Sequence, residues 1–171
     1  MIAPDGPATG IVLIASAIAT MIRLARWQGF RTLAEPLVWS LHLGFAWIPV
    51  GLLMIGLGSF LPDLPQSAGL HALTAGAMTA MPLAVMTRAT LGHTGQPLMA
   101  DRWTAAIYLL ATTAAAFRIA AACSSAEAYL PLLWAAGLAW IAAFGVFVMH
   151  YGRMLLRAVR RLVQRDSNIR P

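Results

Sequence analysis

The residues with ligand or charge chemistry are few, and most of them fall inside or beside apolar stretches. The four histidines are His42, His71, His93 and His150, and Arg118 lies in an alanine-rich run. An ionisable side chain in lipid is costly enough to mark a functional site by default. Imidazole serves haem iron and copper alike, so histidines alone do not name a metal. Position decides which of them share a ligand. His71 and His93 stand at opposite ends of one apolar stretch, ~33 Å apart on a helix, so they do not ligate one iron. His71 and Arg118 belong to the same side, where an imidazole and a guanidinium would make one site. His42 and His93, with His150 as a further member, belong to the other side and would make a second.

Each residue also has a plainer reading. His93, in Leu91-Gly92-His93-Thr94-Gly95, suits an interfacial turn. His150 beside Tyr151 suits the interface, His71 suits a polar helix start, and Arg118 can snorkel to headgroups. His42, deeper and with apolar neighbours, is the hardest to explain structurally. Met78, Met81 and Met86 carry thioethers able to ligate soft copper or haem iron, although packing is the commoner use of methionine. Nothing in the chain pairs a general acid with a base or a nucleophile with an activating group, so the reaction, and whether there is one, stays open.

The elements that must position these residues are apolar and long. The 171-residue chain is 60% hydrophobic and 11% charged, with a mean hydropathy of +0.73. A soluble domain carries about 25% charge, which excludes that class. Disorder and a fibrous repeat fall on the same composition, and the alternating segments of a β-barrel are not seen. The expected fold is all-α, a polytopic transmembrane helix bundle of about five spans, near 9–25, 37–60, 70–91, 104–122 and 130–152. Each suits a hydrocarbon core about 30 Å thick. Glu35-Pro36, Pro62-Asp63-Leu64-Pro65, Gly92 to Trp103 and Cys123 to Glu127 separate them. Pro82 should kink the third span and release a carbonyl near Met78.

Charge sets the direction. All 12 basic residues are arginine. Arg23, Arg26 and Arg31 lie between spans one and two, Arg88 and Arg102 between three and four, and Arg153 to Arg170 after span five. The remaining ends and loops hold Asp5, Asp63 and Glu127 and no arginine. Flanking basic residues stay cytoplasmic, so the N-terminus is expected outside and the C-terminus in the cytoplasm of a multi-pass bacterial inner-membrane protein. Trp103 and Tyr151 would join the inner aromatic belt, and Tyr129 and Trp134 the outer one. The expected division is a membrane bundle over 1–152 and a basic amphipathic cytoplasmic tail over 153–171, with Arg153, Arg157, Arg160 and Arg161 opposite Leu155, Val159, Leu162 and Val163. Such a helix anchors the chain and can lie on an anionic leaflet. The arginines answer to lipid, not to nucleic acid. One cysteine, Cys123, permits no internal disulfide, and no Cys-x-x-Cys-His run attaches haem covalently. The first stretch lacks the basic start of a cleaved signal peptide.

The stretch His71-Ala72-Leu73-Thr74-Ala75-Gly76, through Met81-Pro82-Leu83-Ala84-Val85-Met86-Thr87-Arg88, to Leu91-Gly92-His93-Thr94-Gly95 resembles the NnrS family, in which a HxLTxG…MxxAVMTRxxLGHTG pattern marks one transmembrane helix and the loop after it. Trp39-Ser40-Leu41-His42 resembles the family's Leu-His helix entry, and Arg118 its intramembrane arginine. The resemblance implies a membrane protein containing haem and copper, linked to nitric oxide response, nitrosative stress and denitrification. It implies cofactor binding at His42, His71, His93 and Arg118, with the three histidines as metal ligands. Met86, Thr87 and Arg88 match the signature without an implied role. Family members resemble twelve-helix proteins, so this chain is expected to correspond to their C-terminal part. The alternative is a cofactor-less module completed by a second chain or by another copy of itself. Transport is the weakest reading, since five spans show no inverted repeat and no embedded acid.

Overall fold

The computed structural model of the protein describes residues 6–29 and 35–169, with the backbone alone at 161–163 and 165–169. Asp5, Arg31 and Arg170, used above to orient the chain, lie outside the described residues, as do the side chains of Arg161, Leu162, Val163 and Arg165. Every described element is helical: α1 (Pro7–Arg26), α2 (Pro36–Gly58), α3 (Gln66–His71), a π-helical turn (Ala72–Ala77), α4 (Met78–His93), α5 (Arg102–Ala122) and α6 (Ala126–Ile169). α3, the π turn and α4 run on as one span, Gln66–His93, giving five helices long and apolar enough to cross a membrane. Which end faces the cytoplasm is not fixed by the helices themselves, so the two ends are named here by their charges: an arginine-rich end and an acidic end bearing Asp63 and Glu127.

Local sequence explains the boundaries. Pro7 and Pro36 open α1 and α2, where the missing N–H costs nothing. Asp101 caps α5 by accepting the Thr104 backbone N–H at 2.9 Å. α6 continues without a break past residue 152, so the basic tail extends the fifth span in the same helix. At 44 residues it is ~66 Å long, about twice the hydrocarbon thickness.

Small residues set the packing, as expected where lipid is no less apolar than the helix surface. α2 meets the third span so closely that a Cβ on Gly51 would stand 2.9 Å from the Gly69 carbonyl, and one on Gly69 would stand 2.7 Å from that of Gly51. Above this crossing, Trp47 lies directly against Gly76 of the π turn. α5 and α6 form an antiparallel pair closed by the short Cys123–Ser125 turn. The core gathers Leu37, Leu83, Leu91, Ile107, Tyr108 and Tyr151 toward the arginine-rich end. Outward faces of α1 and α6 are apolar and exposed, including Ile11, Trp134, Leu138 and Ile141, as lipid contact requires.

Candidate functional site

The third span supplies both the imidazole and the distortion. Pro82 lacks an N–H and crowds the carbonyl one turn back. The helix widens into the π turn just ahead of Met78, and such turns recur at functional sites. His71 is the last residue before the widening, and Thr74 and Thr79 return their hydroxyls to the carbonyls of Leu70 and Thr74.

His71 and Ala75 form one wall of a cleft of about 390 Å³ toward the acidic end. Arg118 of α5 and Ala136, Gly137 and Trp140 of α6 line the rest, so His71 and Arg118 border the same cleft. The lining is almost wholly apolar apart from His71 and Arg118. Arg118 Nη1 is buried and has no hydrogen-bond partner among the described residues. A buried donor without an acceptor costs about 1–3 kcal/mol, and a charged one costs more. Trp47 Nε1 and Thr112 Oγ1 are likewise buried and unpartnered. The site therefore offers one imidazole, one unanswered guanidinium and apolar walls.

The other histidines are placed apart from it. His42 turns toward α1, its ring edge-on to Trp27 at 5.8 Å and directly against Gly29. Its Nδ1 donates to the Val38 carbonyl at 3.1 Å, which leaves Nε2 with the lone pair. Arg23 stacks over Trp27 and Phe45 beside it. His93 is exposed at the arginine-rich end of α4. Of the three methionines, Met78 and Met86 are exposed on the apolar surface, and Met81 packs on Gly44.

A second polar cluster, at the arginine-rich end, escaped the sequence reading. His150 Nε2 lies 3.1 Å from Asp101 Oδ2. The other carboxylate oxygen accepts both the backbone N–H and the hydroxyl of Thr104. Thr104 Oγ1 in turn bonds the hydroxyl of Tyr151 at 2.6 Å. Tyr151 is fully buried, so it is a core residue and not the belt residue expected. Its role has no periodicity signal, because a tyrosine near a span end reads the same facing lipid or facing a neighbour. Across the bundle, Tyr108 bonds Thr87. Burial raises the Asp101 carboxyl, but the Thr104 N–H and hydroxyl, the His150 imidazole and the Trp103 N–H outweigh it and hold the group below its ordinary value.

The family model for the NnrS protein matches residues 1–158. The chain belongs to the NnrS family. No curated protein and no solved structure matches it.

The cofactors that the NnrS resemblance implies meet these residues unequally. Haem asks one imidazole on iron, apolar enclosure and a cation for its propionates. The His71 cleft provides the imidazole, apolar walls and, in the unpartnered Arg118 Nη1, the cation, though the cleft is open and not enclosed, so the residues fit the donor chemistry. Copper asks several nitrogen or sulfur donors together. Among the described residues no three His, Cys, Asp or Glu side chains gather to hold a metal, so His42, His71 and His93 do not make a copper set in this chain.

Proposed function

We propose that this NnrS-family chain is a bacterial inner-membrane haem protein of the nitric oxide response, with the haem held in the cleft between the π turn, α5 and α6. The observation that carries the reading is the buried, unpartnered Arg118 Nη1 lining the same apolar cleft as the His71 imidazole. His71 would hold the iron through its imidazole. Arg118 donates to a propionate oxygen and offsets its charge where lipid would not. Ala75, Ala136 and Gly137 leave room beside His71 and Arg118, and Trp140 adds an aromatic wall. A bound haem iron would supply the capacity to bind nitric oxide reversibly. That capacity suits sensing or buffering as well as turnover.

The test is an absorption spectrum of the chain purified in mild detergent after expression with haem supplied. A Soret band that shifts on adding nitric oxide is expected. His71→Ala should remove or displace it, and Arg118→Gln should loosen haem retention. His42→Ala and His93→Ala should leave the spectrum unchanged, since neither residue lines the cleft. A folded, colourless protein would overturn the reading and favour a module completed by a second chain.

A further inference from the structure

A pocket at the start of α2 has no part in the His71 cleft, yet it is lined by two opposite charges that do not pair. We propose that it binds a phospholipid whose headgroup carries a phosphate and a primary ammonium, an ethanolamine phospholipid, with Arg88 on the phosphate and Glu35 on the ammonium.

The pocket holds about 470 Å³, within the range of small-molecule sites. Arg88 and Glu35 line it together with Leu37, Val38, Leu98 and Met99. Its place in the fold is at a bilayer surface. Glu35 directly precedes Pro36, the first residue of α2, and Met99 lies just before Asp101, which caps α5. The pocket therefore stands where two spans begin, at the end that gathers the arginines, which is headgroup depth. Leu98 and Met99 are 52% and 77% exposed. Large apolar side chains on a loop at that depth suit contact with the upper part of acyl chains.

Charge selects the headgroup. Among the described residues the one ion pair joins His150 to Asp101, so Arg88 and Glu35 share a pocket without bonding each other. A ligand bearing both charges satisfies both. The depths of the two residues set its direction. Arg88 lies five residues inside the end of α4 at His93, ~7.5 Å along the helix, whereas Glu35 stands outside the first turn of α2. The cation is thus the deeper group and the carboxylate the shallower. A phospholipid has the same order, its phosphate next to the acyl region and its amine farther out. The guanidinium can reach a phosphate on the long arginine stem and meet it with two N–H groups. A carboxylate accepts from a primary ammonium, which has three donors. A choline headgroup has no N–H to offer, and a glycerol headgroup has no positive charge. The site asks nothing of the haem reading, and it stands at a bilayer surface whichever way the bundle is inserted. It also gives a role to Arg88, a signature residue that had none.

The test uses the full chain, delipidated in mild detergent, with phospholipids of one acyl composition added back. Melting temperature and the lipid retained in native mass spectrometry are the readouts. Phosphatidylethanolamine should raise the melting temperature and stay bound at one lipid per chain. Phosphatidylglycerol and phosphatidylcholine should do both less well at equal mole fraction. Arg88→Gln should weaken retention of the ethanolamine lipid by about tenfold, as loss of a charged hydrogen-bond partner predicts, and Arg88→Lys should restore part of it. Glu35→Gln should erase the preference for the ethanolamine over the glycerol headgroup. Arg157→Gln, on the extension of α6 and outside the pocket, should change nothing. Stabilisation by inorganic phosphate equal to that by lipid would mean a free-anion site and would overturn the proposal. So would equal retention of the ethanolamine and glycerol lipids by the parent chain, a comparison that needs no variant, or unchanged retention in a folded Arg88→Gln chain.

Discussion

Tyr151, Thr104 and Asp101 make a directional chain. The Thr104 hydroxyl donates to Asp101 Oδ1, so its oxygen is left to accept from Tyr151. Removing different atoms therefore has different costs. Tyr151→Phe deletes the terminal donor and leaves the cap on α5 intact, for a loss of about 1 kcal/mol. Thr104→Val strands the Tyr151 hydroxyl and removes one of the two donors on Asp101 Oδ1, for about 1–3 kcal/mol. Unfolding in detergent should rank Thr104→Val below Tyr151→Phe, and an unchanged stability in Tyr151→Phe would show that Tyr151 stabilises by packing alone. The carboxylate also sets an acid limb. Asp101 has a lowered value in the folded chain, so its contribution is complete above the ordinary carboxylate range and is lost as pH falls through the lowered value. Asp101→Asn keeps a capping side chain but has no proton to gain. Its melting temperature should fall less steeply than that of the parent below about pH 4.

Elements were the most legible level. Runs of apolar residues with Pro, Gly and acidic breaks give the right number of membrane-capable helices, five among the described residues, because length and hydropathy decide a membrane helix, although the fifth runs well past 152. Burial partners were less legible. The His71–Arg118 pairing followed from depth, since two residues near the same end of adjacent spans have few other places to go. The π turn left no trace in composition, because one extra residue in a turn changes register and not hydropathy. Tyr108 and Tyr151 were hidden for the same reason, their hydroxyls having partners far away in sequence. The glycine contacts give the element-scale prediction. A Cβ on Gly76 would stand 2.5 Å from Trp47 Cγ, a rigid ring atom seated against the π turn, whereas one on Gly137 would meet nothing within 4 Å. Gly76→Ala should destabilise by about 1–3 kcal/mol through overpacking. Gly137→Ala should be neutral or gain up to about 1 kcal/mol of helix propensity. Melting temperatures of the two variants in one detergent check this, and equal values would mean that Trp47 simply turns aside.

At the scale of the whole molecule the open question is direction, and the charges answer it with one voice. Among the described residues, Arg23, Arg26, Arg88, Arg102, Arg153, Arg157 and Arg160 all gather at one end of the bundle. The opposite end has the α2–α3 and α5–α6 turns, with Asp63 and Glu127. We propose that, with its basic flanks retained in the cytoplasm, the chain holds the long extension of α6 inside the cell and turns the His71 cleft toward the periplasm. The chain carries its own probe of this, because its single cysteine is exposed in the α5–α6 turn at the acidic end. A membrane-impermeant maleimide should label Cys123 in intact spheroplasts, and Cys123→Ser should abolish the signal. Labelling only after lysis would invert the bundle. It would put the His71 cleft beside the cytoplasm and the arginine-rich end outside. A single labelling experiment on the unaltered chain thus fixes the compartment in which the His71 cleft must work.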